Sequence, residues 1–172
     1  MTTRSGIFLG LFFLGAFTCF AAFQSETWKV PPGLPEYEVL KVIDGDTIRV
    51  AGLGKIRYIG MDAPEIKHAG RAAEPYGYEA FEANQQLVQG KRVKIELDAG
   101  KRDRYGRVLA YVYCGSVFIN AYLVEAGYAY AVKVKPNVRY WNLFSRLQQE
   151  AARAGRGLWG LRLQKRFGLL GQ

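Results

Sequence analysis

The feature that most restricts how this chain folds is a succession of short alternating runs, each closed by a turn that carries glycine. Residues 37–43 are rich in β-formers, Asp44-Gly45 supplies a turn, and residues 47–50 alternate polar with apolar. Gly52 and Gly54 reverse the chain again before Lys55-Ile56-Arg57-Tyr58-Ile59. An Asp-Gly pair between such runs is a hairpin signal, because its backbone accepts the dihedrals a tight turn needs. Val93, Ile95 and Leu97 alternate with charged residues, and residues 108–113 form a continuous apolar strand stopped by Cys114-Gly115. Helical spacing intervenes at three places. Ala80, Phe81, Leu87 and Val88 predict a helix over about 74–89 that ends at Gly90. Asn120 is placed to cap a short helix running to Ala126, and Tyr140, Phe144, Leu147, Ala151 and Ala154 share one stripe of a last helix. Strands first, with helices inserted or appended, predict a small β-barrel of the α+β class. At roughly 150 residues per domain, the 172 residues suit one such domain and an appendage.

The appendage is N-terminal. Arg4 is the only charge before Glu26, and residues 6–23 are almost unbroken apolar (GIFLGLFFLGAFTCFAAF). One basic residue, an apolar run and then small residues form the pattern of an export signal. The run also matches the shortest bilayer-spanning helices, so a retained anchor is the other reading. A core helix fits less well, because the segment is apolar on every side. Residues 1–23 are therefore expected to be a signal peptide or membrane anchor. Residues 24–35 follow as an extended linker in which Pro31, Pro32 and Pro35 deny ladder donors, then residues 36–160 as the folded domain and 161–172 as a basic tail. The protein is expected outside the cytoplasm, secreted, periplasmic or anchored, and as a monomer.

Few kinds of chemistry survive the composition. Two cysteines build no disulfide framework, and the single histidine, His68, excludes any site that needs two imidazoles. His68 itself reads as a surface loop residue. Carboxylates and arginines remain, and they gather in three segments: residues 42–47, 57–65 and 103–111. Asp46, Asp62 and Glu65 supply hard oxygen ligands or a base. Oxygen donors without His or Cys select Ca²⁺ or Mg²⁺. Arg57 and Arg107 supply planar forks that match phosphate oxygens in two-point contacts. A divalent cation beside two guanidinium groups suits a pentavalent phosphoryl transition state, where negative charge accumulates on oxygen.

Taken in order and at their spacing, these segments resemble the staphylococcal nuclease family. The resemblance runs from about Tyr37 to Trp159 and includes Asp-Gly-Asp-Thr at 44–47, Arg57, Asp62-x-Pro64-Glu65, Tyr76-Gly77, Asp103-x-Tyr105-Gly106-Arg107, Leu109-Ala110-Tyr111 and Lys135-Pro136-Asn137. It implies an OB-fold, a five-stranded barrel with three helices, that hydrolyses DNA and RNA with Ca²⁺ and leaves 3′-phosphate ends. By position, Asp46 and Asp62 would be carboxylate ligands of the calcium, with the backbone carbonyl of Ala63 as a third donor. Glu65 matches the proposed general base, and Arg57 and Arg107 match the phosphate-binding arginines. Arg104 and Tyr105 match positions that hold a terminal phosphate.

One stretch departs from the family pattern. Where an aromatic pair precedes Lys-Pro-Asn in the best-known member, this chain has Val132 and Val134. Base stacking is worth about 1–3 kcal/mol per base. Lys133 and Lys135 are expected to replace part of it electrostatically, with Tyr128 and Tyr130 as nearby stacking candidates. A net charge of +9 suits a polyanionic partner, DNA or RNA, with single strands favoured. The basic tail also suits anionic lipid. The alternative reading is a non-catalytic OB module that only holds nucleic acid.

Overall fold

A computed structural model of the chain describes residues 28–67, 70 and 72–160. Residues 1–23, expected to be a signal or anchor, His68 and the basic tail at 161–172 lie outside the described residues. Among the described residues eight strands and three helices follow in the order β1 (Glu36–Val42), β2 (Thr47–Val50), β3 (Gly54–Tyr58), β4 (Met61–Asp62), α1 (Gly77–Val88), β5 (Arg92–Arg102), β6 (Val108–Cys114), β7 (Val117–Phe118), α2 (Ile119–Glu125), β8 (Tyr130–Ala131) and α3 (Trp141–Arg153). The mixture of a sheet with helices is the α+β class expected from the sequence.

The sheet order is β3-β2-β1-β5-β6-β7, and β3 also pairs with β6. Five strands therefore close on themselves, which removes the open edges that a small sheet would otherwise expose. Every pairing in the ring is antiparallel except the closing one, where Ile56, Arg57 and Tyr58 run parallel to Val108, Leu109 and Ala110. The alternation read from the sequence sorts side chains as expected in β2, β3 and the start of β5. It reverses after Ile95, where Glu96 is buried and Leu97 faces water at the point where the pairing with β6 shifts register. Ile48, Val50, Ile56, Tyr58, Val93 and Ile95 are buried, while Arg49 and Lys55 between them face water. At about 25 cal/mol per Å² of apolar surface, this enclosed face is the main stabilising term.

Three elements differ from expectation. Helix α1 begins at Gly77 rather than near 74, because Tyr76 takes a left-handed backbone (φ 74°) that breaks helical continuity after Pro75. β5 continues to Arg102, its pairing with β6 shifting register between Leu97 and Arg102. Asn120 does not cap α2. Phe118 takes the cap position with no side-chain hydrogen bond, and Asn120 is wholly buried within the helix. Its Oδ1 accepts from Val112 N at 2.9 Å, and its Nδ2 donates to Ile59 O at 2.9 Å and to Ala110 O at 3.4 Å. A polar side chain at the centre of the core thus holds α2, β6 and the end of β3 together through buried backbone groups.

Residues 28–35 contain no strand, as the prolines require, yet they lie on the barrel. Trp28 meets Phe118 edge-on at 6.0 Å, Val30 and Leu34 pack on the core, and Pro35 O accepts from Ile95 N at 3.0 Å. The last helix follows its predicted stripe, burying Phe144, Leu147 and Ala151. Gly60 (φ 79°) turns the chain from β3 into β4 against that helix, where a Cβ would sit 2.4 Å from the Phe144 ring. The turn needs both the left-handed backbone and the missing side chain, and it delivers Asp62.

Candidate active site

The turn between β1 and β2 aims a carboxylate inward. Asp44 Oδ1 accepts from Asp46 N at 3.0 Å, and Ile43 N donates to Thr47 O at 2.9 Å. The tight reversal buries the Asp46 side chain. Its Oδ1 accepts from the Thr47 hydroxyl at 3.0 Å and its Oδ2 from Ala63 N at 3.0 Å. Burial pushes the Asp46 carboxyl well above the ordinary range, with Asp44 nearby adding to the rise and the Arg57 guanidinium opposing it.

Register places Arg57 on β3 directly opposite Thr47 on β2. Its Nη2 lies 3.0 Å from Asp46 Oδ2 and 2.5 Å from Asp62 Oδ1, while Nη1 donates to Tyr58 O and Met61 O, both at 2.9 Å. One guanidinium therefore gathers the two carboxylates singled out in the sequence. Its Nε–H makes none of these contacts.

The loop before β6 builds the second arginine. Asp103 Oδ1 accepts from Tyr105 N at 2.9 Å and Arg107 N at 3.0 Å, and Oδ2 accepts from Arg107 Nε at 2.7 Å. Burial alone would raise the Asp103 carboxyl. The hydrogen bonds from the Arg107 side chain and backbone outweigh it and hold the group below its usual range. Clamped at Nε, Arg107 extends Nη1 to 3.5 Å from the Thr47 hydroxyl. The exposed Tyr105 ring lies under Arg104 at 4.8 Å and Arg107 at 5.6 Å, and Arg104 Nη2 donates to the Tyr105 hydroxyl at 2.6 Å.

Glu65 is set by its backbone. Its N–H donates to Glu74 Oε2 at 3.2 Å, its carbonyl accepts from Glu74 N at 2.8 Å, and a Cβ on Gly77 would come within 2.4 Å of that carbonyl. Partial burial raises its carboxyl above the ordinary value, the Asp44 and Asp62 charges raise it further, and Arg57 partly offsets them.

A cleft of about 600 Å³ opens over these groups, lined by Asp44, Thr47, Lys55, Glu65, Tyr105 and Arg107 among others. Glu65 and Arg107 thus share one cavity. Asp46 joins the cleft through the Thr47 hydroxyl, which donates to it, and Arg57 links Asp46 to the exposed Asp62. Lys133 and Lys135 stand outside this cleft, on the exposed chain leaving β8. The Lys133 ammonium sits 5.5 Å from the Trp141 ring. Tyr128 is stacked on Tyr76 at 5.6 Å and Tyr130 meets Trp159 edge-on at 5.6 Å, so both rings are engaged within the protein. Lys55 was not singled out in the sequence. Its signal was available there, since residues two apart on a strand share a face and Lys55 precedes Arg57 by two.

The donor set suits a hard cation in kind. Asp46 and Asp62 share the Arg57 guanidinium, the charges of Asp44 and Asp62 act on Glu65, and the donors are oxygen throughout. Among the described residues no three His, Cys, Asp or Glu side chains cluster as a complete metal site. Two carboxylates would therefore come from the protein, and the remaining oxygens from backbone, water or substrate.

Comparison with known proteins agrees with the geometry. Residues 55–160 match the family described as staphylococcal nuclease homologue. The chain is 37% identical over 126 residues to a thermonuclease of Staphylococcus hyicus, covering 72% of this chain and 75% of that protein. It is 36% identical over 126 residues to a thermonuclease of Staphylococcus intermedius, with the same coverage of each chain. It is also 38% identical over 124 residues to endonuclease YncB of Bacillus subtilis (strain 168), covering 69% of this chain and 59% of that one. The chain belongs to the staphylococcal nuclease family.

Proposed function

We propose that this family member, a hydrolytic nuclease, cleaves the phosphodiester bonds of DNA and RNA with Ca²⁺, acts as an endonuclease, and leaves 3′-phosphate ends. The observation that carries the reading is that Glu65 and Arg107 line one cleft whose Thr47 wall is hydrogen-bonded to Asp46. The five-strand ring supports the OB-fold implied by the resemblance.

Asp46, Asp62 and the Ala63 carbonyl would hold the cation, which when bound supplies Lewis-acid stabilisation of charge on the phosphoryl oxygens. Glu65, made more basic by burial and by neighbouring acids, takes a proton from the attacking water. Water oxygen bonds to phosphorus, the P–O5′ bond breaks, and the leaving O5′ takes a proton from solvent, giving a 3′-phosphate and a 5′-hydroxyl. Arg107, oriented by Asp103, donates toward the oxygens where charge develops, while Arg57 fixes both carboxylates and keeps an Nε–H for phosphate. Tyr105 and Arg104 hold the neighbouring phosphate, with Lys133 and Lys135 contributing from outside the cleft. The full chain should cleave single-stranded DNA with Ca²⁺ and fail to do so with EDTA, and labelled products should carry 3′-phosphates. Equal cleavage in both conditions would overturn the metal dependence. Salt-dependent binding with no cleavage would favour the non-catalytic module.

Export, or anchoring of the domain outside the cytoplasm, belongs to the same proposal and is supported by the apolar run at residues 6–23. N-terminal sequencing of the product recovered outside the cell should find residues 1–23 missing if the segment is a signal. Intact protein in the soluble cytosol would overturn it. A single species at the monomer mass in sedimentation is expected.

A further inference from the structure

The cleft has a continuation that the reaction does not use. Strand register pairs Thr47 with Arg57 at the site, and the next pair on the same outer face is Arg49 with Lys55, since Ile48 and Ile56 between them point into the core. On the other side of β2, Arg49 is paired with Lys41 of β1. Three cations therefore stand in one row across three adjacent strands, all exposed, and the Lys55 end of the row lines the cleft beside Glu65 and Arg107. Like charges directly opposite one another destabilise a sheet. Among the described residues no carboxylate lies within ion-pair distance of any of the three, whereas Arg92 on β5 is paired with Glu36 and Arg139 with Glu96 and Asp98. The row works against folding and has no ion-pair compensation among the described residues, so an external anion suits it.

We infer that Lys41, Arg49 and Lys55 form a phosphate track that carries the polynucleotide away from the cleavage cleft across the outer face of β3, β2 and β1. With strands about 4.8 Å apart the row is about 10 Å long, enough for on the order of two to three phosphates. The inference rests on the nuclease reading. It adds that the protein grips nucleotides beyond the scissile bond and favours long strands over short ones. Continuity with the cleft selects a nucleic acid over a lipid surface as the occupant.

The test compares the full chain with Lys41→Gln/Arg49→Gln/Lys55→Gln, binding a single-stranded oligonucleotide long enough to cover cleft and track, in EDTA, over a range of salt. Three lost phosphate contacts should flatten the slope of log K against log salt by about 2, at about 0.7 per contact for single strands. The charge-keeping variant Lys41→Arg/Lys55→Arg should retain the full slope, and the neutral triple variant should melt no lower than wild type because repulsion has been removed. If the triple variant fails to fold, each single neutral variant should flatten the slope by about 0.7. An unchanged slope overturns the track. So does loss of binding to anionic vesicles with the oligonucleotide slope intact, which would make this a membrane face. Failure of wild type to cleave would instead overturn the nuclease reading, while the binding slope still decides the track.

Discussion

Replacing Asn120 with alanine separates two roles that the same residue could have. As a helix cap its loss would cost about 1 kcal/mol. In the structure it instead serves three buried backbone groups. Two of them, Val112 N and Ile59 O, lose the Asn120 hydrogen bond, while Ala110 O keeps its 2.9 Å bond from Ile59 N. A buried polar group stripped of its partner costs about 1–3 kcal/mol, so two of them predict a loss of about 2–6 kcal/mol. Against a total stability of about 5–15 kcal/mol, that is a large fraction. In urea unfolding with a slope near 2 kcal/mol per molar, the midpoint should fall by about 1–3 M. Because Ile59 leads into the Gly60 turn that delivers Asp62, activity of the folded fraction should fall as well. A midpoint shift below about 0.5 M would refute the bracket role and restore the cap.

Arg107→Ala should lower kcat by about 10²–10³, the scale of losing one donor aimed at developing charge. Single-turnover cleavage measures it, and retention of most activity would remove Arg107 from the mechanism. Glu65→Gln should slow turnover with a native circular dichroism spectrum. In wild type the raised Glu65 carboxyl should place the acid limb of the rate profile above the ordinary glutamate value of about 4.3, activity rising with pH as the base ionises. A limb at or below that value would contradict the assignment. Asp98 is held below its usual range: burial pushes it up, but the Tyr111 hydroxyl, two backbone N–H groups and Arg139 outweigh this. A depressed folded pKa contributes stability present above the unfolded value of about 3.9 and lost as pH falls through the folded one. Asp98→Asn should therefore be less stable at neutral pH, and its deficit should shrink as pH falls below about 4 in urea titrations. Asp46→Ala should abolish the rise in melting temperature that Ca²⁺ gives wild type, about 2.7 kcal/mol of stabilisation at a hundredfold excess over Kd.

What could be read in the sequence follows physical range. Hairpin turns, strand alternation and the α3 stripe are local patterns, and the strands around Asp44-Gly45 and the helix carrying Phe144 and Leu147 lie where those patterns put them. The acids and arginines were legible as residue types in three segments, because oxygen donors beside guanidinium forks carry a chemical meaning before any fold is known. Strands β4 and β8 are two residues long and exist only because Met61 and Asp62 meet Ala131 and Tyr130 across the molecule. The meeting of Lys41, Arg49 and Lys55 depends on register that no single run specifies. Asn120 looked like a cap because its neighbours were helical, and only the path of β6 showed what it binds.

The ring shuts along its one parallel seam among the described strands, three residues on each side, and Arg57 lies in that seam with Arg107 one residue before it. Parallel pairing is slightly weaker per residue than antiparallel pairing, and opening it would part the strands that carry Arg57 and lead from Arg107. The arginines of the site and the closure of the barrel thereby depend on the same few residues, so a molecule that opens along this seam loses the site with it.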